Sequence, residues 1–422
     1  MHARSHDPRM PRPARTSLAL LASAFIAASA LGGATYVNTG VGILWYGASA
    51  DGSVAAGSNG QYYLVYTASG GVRAAAVRNW SSAVTGISWD GRFIAGAVQN
   101  AAASNRWQMA RGDRNNETWT PCGDLGRSMS GEGSSPYGIS GDGSTMFGLA
   151  WTTGGNALAC TWRSDTGIRS LGTSVANRST RANAANLDGS VIVGWQDGIT
   201  GLRQGCIWNN GVQRLLFFAN GQPASEALGV SADGNVVVGL GNESNGFHAW
   251  RWTAATGIVD ILPRQDWESW IYLSGSATGV SADGNTIVGY YRFGGTPYDG
   301  HGWIWDPANG VRDLTALAVD QGASLPTGQV AALPLGVSAD GRTVVGGSGN
   351  EVSGLPTGGF VLHLDIPCFG DLDGSGTVDG GDVAFCLLDF GPCPQCPSDL
   401  DGSGDVDFGD IALLLLSTGP CP

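Results

Sequence analysis

Short apolar runs rich in Val, Ile, Ala and aromatic residues alternate with Gly-, Asp- and Ser-rich breaks along most of the chain. Runs of that length, bounded by turn residues and β-branched in composition, predict strands rather than helices. The breaks recur. A phrase made of a hydrophobic pair, a small residue, Asp-Gly, a β-branched run and a closing glycine appears seven times, most clearly as GVSADGNVVVG from Gly229, GVSADGNTIVG from Gly279 and GVSADGRTVVG from Gly336. Its acids are Asp51, Asp90, Asp142, Asp188, Asp233, Asp283 and Asp340, each several dozen positions after the last. Such a period marks a repeat architecture.

Asp-Gly between two strand-like runs predicts a hairpin, because the turn needs a positive φ that Gly and Asp tolerate. An aromatic third run follows (LACTWRSDTG, FHAWRWTAATG, HGWIWDPANG), ending in Trp162, Trp252 or Trp305 shortly before a turn glycine. A fourth run begins at that glycine, as in GIRSLG, GIVDIL and GVRDLT. Each unit is therefore a four-stranded antiparallel meander. One fourth-strand phrase, GVGILW from Gly40, precedes the first hairpin, and the last third strand, GFVLHL from Gly359, has none after it. An N-terminal strand completing the last unit removes the exposed sheet edge. The expected fold is an all-β seven-bladed propeller over residues 35–365, with an open β-solenoid as the alternative.

The same phrases, with His248-Ala249-Trp250 close to a His-Ala-Phe signature, resemble the HAF repeats of extracellular bacterial proteins. That resemblance covers roughly residues 40 to 365 and implies no particular activity.

The N-terminus agrees with an exported chain. Four Arg in residues 1–15 precede the apolar stretch SLALLASAFIAASAL and small residues suited to cleavage near Ala30 or Ala34, the pattern of a signal peptide over residues 1–34. No later run is long enough to span a bilayer, so the mature chain is expected to be secreted, without an integral membrane segment. All 22 basic residues are Arg, which excludes a P-loop lysine, a Schiff-base lysine and a Ser-Lys dyad. With a net charge of -13 and no basic run after the leader, nucleic acid is not an expected partner.

Most of that charge lies after Asp365, where ten Asp stand without any Glu or Arg. Two segments there, DLDGSGTVDGGD from Asp371 and DLDGSGDVDFGD from Asp399, place oxygen side chains at loop positions 1, 3, 5, 9 and 12 and glycine at 6. Calcium takes six to eight oxygen ligands, and this spacing lets one twelve-residue loop supply them. Each loop runs into an apolar helical stretch, from Val383 and from Ile411. The tandem resembles a type I dockerin-like module over residues 366–422. By position the resemblance assigns two Ca2+ ions to Asp371, Asp373, Ser375, Thr377 (backbone carbonyl), Asp379 and Asp382, and to Asp399, Asp401, Ser403, Asp405 (backbone carbonyl), Asp407 and Asp410. It implies a cohesin-like or other cell-surface protein as partner. Loop positions 10 and 11, small hydroxyl residues in cellulosomal dockerins, are Gly380, Gly381, Phe408 and Gly409 here, which leaves another surface component equally open. Five of the eight Cys fall in this region, where disulfides and calcium can replace a missing core. Cys393 and Cys396 form a CxxC read as structural, for want of a thioredoxin-like context. Cys122, Cys160 and Cys206 lie in the repeats, and the pairing is left open.

No catalytic constellation stands out. His248 and His301 open equivalent third strands and His363 lies in the last one, which is what structural roles predict. The turns between strands one and two and between three and four are tight. The other connections, after Pro263, Gly289 and Thr315, are long and varied, and mark the expected binding face. On it Asp266, Trp267, Glu268, Trp270 and Tyr272, with Tyr290, Tyr291, Arg292, Tyr298 and Asp299, form the densest aromatic and acidic set. Rings beside carboxylates suit a polysaccharide; self-packing loops are the plainer reading. The first functional reading is thus a secreted, non-enzymatic recognition or scaffold propeller attached through its calcium module. The alternative is a secreted polysaccharide-active enzyme or accessory with Asp266 and Glu268 as its carboxylates.

Overall fold

The computed structural model describes residues 33–78, 85–126, 131–243, 246–262, 274–292, 296, 298–365, 370–373, 375, 377–393, 396–400, 403–416 and 418–420. Between Gly33 and Asp365 the described strands form seven antiparallel meanders in chain order around an axis. Blade 1 is Leu44–Ala48, Val54–Ser58, Tyr62–Thr67 and Gly71–Arg78. Blade 4 is Thr180–Ala185, Val191–Asp197, Arg203–Asn209 and Val212–Leu215. Blade 2 has three described strands, its innermost run represented by the Ile87 to Ile94 bridge. Blade 5 runs from Ala224–Val230 to Gly257–Asp260 and blade 6 from Ser274–Val280 to Gly310–Asp313, and one parallel backbone pair, Phe247 with Ser274, joins their sheets. Among the described residues no helix is long and apolar enough to cross a membrane.

The ring closes as the strand count requires, through a different strand. Thr35–Asn38 pairs with Pro356–His363 as the fourth strand of blade 7. GVGILW does not supply it: Gly40 and Gly42 take positive φ and turn the chain, so that Leu44 already opens blade 1. A second difference lies after blade 6. The end of GVRDLT, expected as strand, and the stretch after Thr315, expected as an irregular loop, together form helix α1 (Leu314–Asp320), which Asp313 caps by accepting the Ala316 N–H at 2.8 Å and which buries Leu314 and Ala318.

The repeated acids shape turns, through their side chains. In Ser231-Ala232-Asp233-Gly234, Ser231 Oγ donates to Asp233 Oδ1 and accepts the Val236 N–H, while Asp233 Oδ1 accepts the Asn235 N–H. The same three bonds recur at Ser49, Ser88, Ser140, Ser281 and Ser338, and blade 4 substitutes Asn186 for the serine. Only the glycine takes a positive φ; no hairpin Asp does. The residues beside these turns then link blade to blade. Ala50 N–H donates to the Trp89 carbonyl, Trp89 to Gly141, Asp142 to Leu187, Leu187 to Ala232, Ala232 to Ala282, Ala282 to Ala339 and Asp340 back to Ala50, at 2.8 to 3.2 Å.

Two glycines per repeat have packing reasons. Each fully described innermost strand carries a register shift, as at Ala227/Gly229 or Ala277/Gly279, a bulge that pushes one carbonyl toward the neighbouring strand. The phrase's closing glycine faces that carbonyl: a Cβ on Gly239 would lie 2.1 Å from the Glu226 oxygen, and one on Gly346 2.0 Å from that of Leu333. The bulge glycines meet around the axis. A Cβ on Gly336 would lie 3.1 Å from the Gly47 Cα, and one on Gly86 3.1 Å from the Gly138 Cα. Blade 4 alone has Ala184 there.

Between blades, large side chains fill the space. Trp250 and Trp303 are fully buried, and Trp162, Trp208 and Trp252 are buried in the inter-blade clusters. Each such ring contributes on the order of 2–3 kcal/mol. Cys160 and Cys206 stand two positions before the Trp of their strands, where Trp250 and Trp303 stand in theirs. With Cys122 they are buried free thiols, and burial pushes the Cys122 and Cys206 pKa up to about 12. His248 and His301 make equivalent ties between third and fourth strands: Nδ1 lies 2.7 Å from Asp260 and 2.9 Å from Asp313.

Gly336→Ala should cost about 1–3 kcal/mol through crowding at the axis, and Ala184→Gly less than about 1 kcal/mol; urea unfolding measures both, and equal costs would contradict a close-packed glycine ring. The His301 pair gives a pH dependence. Its hydrogen bond to Asp313 raises the His301 pKa above 6.5. Burial works against ionised Asp313, but bonds from His301 and the Ala316 N–H outweigh it and hold its pKa below 3.8. The histidine's contribution is complete below pH 6.5 and fades as pH rises through its raised value; the aspartate's fades only as pH falls through its lowered value. The melting-temperature gap between the native chain and His301→Asn should therefore shrink from pH 6 to pH 9.

Candidate metal centre and channel mouth

In the C-terminal segment the two acidic runs build the same local structure twice. Thr377–Val378 leads into α2 (Gly380–Leu388), and Asp405–Val406 into α3 (Phe408–Leu416). Each short strand pairs with the segment after the opposite helix: Thr377–Val378 with Gly419–Pro420, and Asp405–Val406 with Gly391–Pro392. Val378, Cys386, Val406 and Leu414 form the small core between the two units. The CxxC is a disulfide, Cys393 to Cys396, packed against that core.

The last acid of each loop is fully buried and anchors it. Asp382 Oδ1 accepts the Leu372 N–H at 2.6 Å, and Oδ2 the Asp379 N–H at 2.7 Å. Asp410 repeats this with Leu400 at 2.7 Å and Asp407 at 2.8 Å. Burial alone would raise the Asp382 pKa; the backbone N–H groups of Asp379, Asp373 and Leu372 outweigh it and hold the carboxyl below 3.8, ionised at neutral pH. Asp371, Asp373 and Asp382 bring carboxylate oxygens within 4.8 Å of one another. Ser375 Oγ lies 3.0 Å from the Thr377 carbonyl, and Ser403 Oγ 2.9 Å from that of Asp405. Asp379 Oδ1 accepts the Gly381 N–H and Asp407 Oδ1 the Gly409 N–H. In the second loop Asp399 Oδ2 accepts the Gly404 N–H, while its Oδ1 is buried and makes no hydrogen bond. A buried carboxylate oxygen without a donor is costly, and a hard cation is a natural partner for it. Asp401 lies outside the described residues.

On the propeller, Asp266, Trp267, Glu268, Trp270 and Tyr272 lie outside the described residues. Of their neighbours, Tyr291 is buried and stacks on His301 at 5.8 Å. Arg292 lies over the Tyr290 ring at 4.6 Å and donates to its hydroxyl at 2.9 Å. Burial raises the Tyr298 pKa, and Asp299 Oδ2 accepts the Thr296 N–H.

A cavity of about 470 Å3 runs along the axis. At the end near the Asp-Gly turns it is lined by Ala48, Ile87, Ile139, Val230, Val280 and Val337; at the other end by Tyr46, Thr85, Tyr137, Asn183 and Arg181. Burial pushes the Tyr46 pKa up to about 12, so its hydroxyl keeps its proton. Arg181 is held from several sides. Its Nε donates to Asn183 Oδ1 at 2.7 Å and its Nη2 to Glu226 Oε2 at 2.9 Å, and the guanidinium lies over the Tyr137 ring at 4.6 Å. Glu226, buried, also pairs with Arg203, and Arg203 lies over the Trp195 ring at 4.4 Å. Sequence reading missed this group. The available signal was an Arg and a Glu, each five positions before the Asn186 and Ser231 turns, at the strand position held elsewhere by Leu44, Ser135, Ser276 and Leu333.

No family model and no curated protein matches the chain. Among solved structures it is similar to the β-propeller domain of the Trilobed protease from Pyrococcus furiosus, at 12% identity over 77% of this chain and 94% of that one, with a TM-score of 0.49. It is also similar to an oligogalacturonate lyase from Vibrio parahaemolyticus, at 12% identity over 76% and 91%, TM-score 0.47. TolB from Acinetobacter baumannii matches at 18% identity over 65% of this chain and 61% of its own, TM-score 0.40. None of these likenesses bears on activity.

Proposed function

We propose that the protein is an exported, non-enzymatic recognition or scaffold propeller, attached to a surface component through a C-terminal module that binds two calcium ions. One observation carries the reading: two successive loop-and-helix units, each with a buried Asp at loop position 12 that draws the loop's own backbone N–H groups around it, and further oxygens converging beside the first. The oxygen-only donor set suits a hard cation and excludes a soft-metal thiolate site. Cys386, the buried thiol of α2, has its pKa raised by burial and bonds weakly to the Ser398 carbonyl. Attachment is supported by the apolar surface of the same units. Phe385, Leu388, Phe390, Phe408 and Leu415 are exposed, and the Phe390 and Phe408 rings lie 5.3 Å apart. So many exposed apolar side chains on so small a unit suit an interaction surface. The partner class is a cohesin-like or other cell-surface protein.

On this reading, export involves cleavage near Ala30 rather than Ala34. Ala34 is buried and its N–H donates to the Gln321 carbonyl at 3.0 Å, so a cut after it would remove part of the last blade's packing.

Calorimetry should find two calcium ions per chain, with Asp371→Ala and Asp399→Ala each removing one. Calcium at a hundredfold excess over its dissociation constant should stabilise the segment by about 2.7 kcal/mol per site. Stoichiometry unchanged by both substitutions would overturn the assignment.

A further inference from the structure

The channel mouth holds a charge arrangement that four other blades do without. At one equivalent position, just before the bulge of the innermost strand, blades 1, 3, 6 and 7 carry Leu44, Ser135, Ser276 and Leu333, while blades 4 and 5 carry Arg181 and Glu226. Burying an ion pair gains little stability over apolar packing, and four blades manage without one. Two guanidiniums share the single Glu226 carboxylate, so the group keeps a net positive charge inside an acidic protein. Arg181 lines the axial cavity, and Asn183 and Tyr137 fix its plane from the sides. Arg203 is half exposed and lies outside the cavity lining. The cavity's volume is in the range of small-ligand sites, and its far end is apolar.

We propose that the polar end of the axial cavity binds a ligand bearing a terminal carboxylate, which Arg181 contacts directly while Glu226 and Arg203 act as positioning residues. The guanidinium is bonded through Nε to Asn183 and through Nη2 to Glu226 and lies over the Tyr137 and Trp195 rings, so that Nη1, whose bond to the Tyr137 hydroxyl is long at 3.5 Å, is the group a ligand carboxylate would take. The chemistry has two sources, an acidic sugar and a peptide C-terminus. The proposal rests on the reading of the propeller as a recognition module and is independent of the calcium loops.

The test is calorimetry at low salt on the full exported chain with calcium, using four probes: tri-galacturonate, its methyl ester, acetyl-trialanine and its amide. One acid should bind, and its neutral counterpart should bind at least about tenfold more weakly. The acid that binds identifies the source. Arg181→Met, which keeps the apolar stem, should weaken binding about tenfold or more, while calcium stoichiometry stays at the native value. Arg203→Gln, at a half-exposed side chain outside the cavity lining, should weaken it less and flatten its salt dependence. Should Arg181→Met fail to fold, Arg181→Lys keeps the charge without the fork and should also weaken binding. The proposal is overturned if neither acid binds with a dissociation constant below about 10 mM, if acid and neutral forms bind alike, or if the Arg181 and Arg203 variants bind as the native chain does. Loss of calcium binding alone would sink the attachment reading and leave this one standing.

Discussion

Seven innermost strands can share one axis only if their backbones come within contact distance, and most other features of the propeller follow from that. At the closest approach a Cβ on Gly336 would lie 2.6 Å from the Tyr46 carbonyl oxygen, and one on Gly86 3.1 Å from the Gly138 Cα, so the neighbouring backbone would have to give way. The bulge that lets each strand curve toward the axis also drives a carbonyl against the second strand, which forces a second glycine. The repeat phrase GVSADGNVVVG thus carries a steric requirement at each of its ends, with a turn between them. The backbone bonds from Ala50 around to Asp340 and back to Ala50 then lock the end where those turns lie. The apolar residues at that end, Ile87 and Val280 among them, pack into the space that remains.

What was legible in the sequence was whatever is decided locally. The Ser-x-Asp-Gly turn is fixed by three bonds among residues within five positions of one another, so its role could be read from one copy and its number from the count. The acidic loops are local in the same way. The closing strand was legible as a requirement of topology and misplaced as a segment, because Thr35–Asn38 is short and defined by its pairing with Pro356–His363, at the opposite end of the repeat array. Helix α1 was hidden by a strand signal upstream and a Gly/Pro-rich stretch downstream. Its cap, Asp313, is also the partner of His301, a contact that only blade geometry brings about.

The channel mouth was illegible for a different reason. Arg181 and Glu226 come from different blades and look like ordinary strand residues. Their exceptional character appears only when each blade is aligned on its bulge, since the register shift changes which positions correspond. Aromatic density, the criterion that drew attention to the loop after Pro263, finds rings wherever they lie; Tyr291 shows that such a ring can belong to the core.

The absence of lysine sharpens the meaning of the cations that remain. Every basic side chain is a flat guanidinium, and many of them lie over rings: Arg181 over Tyr137 and Trp195, Arg203 over Trp195 as well, Arg292 over Tyr290. A stacked guanidinium gives up its faces and keeps its edge for hydrogen bonds. Glu226 takes one edge bond from each of two arginines, which spares the carboxylate an unpaired burial and still leaves positive charge over. A structural ion pair would be satisfied by one arginine. The second, half exposed and stacked on the same tryptophan as the first, supplies charge beyond what the single carboxylate neutralises.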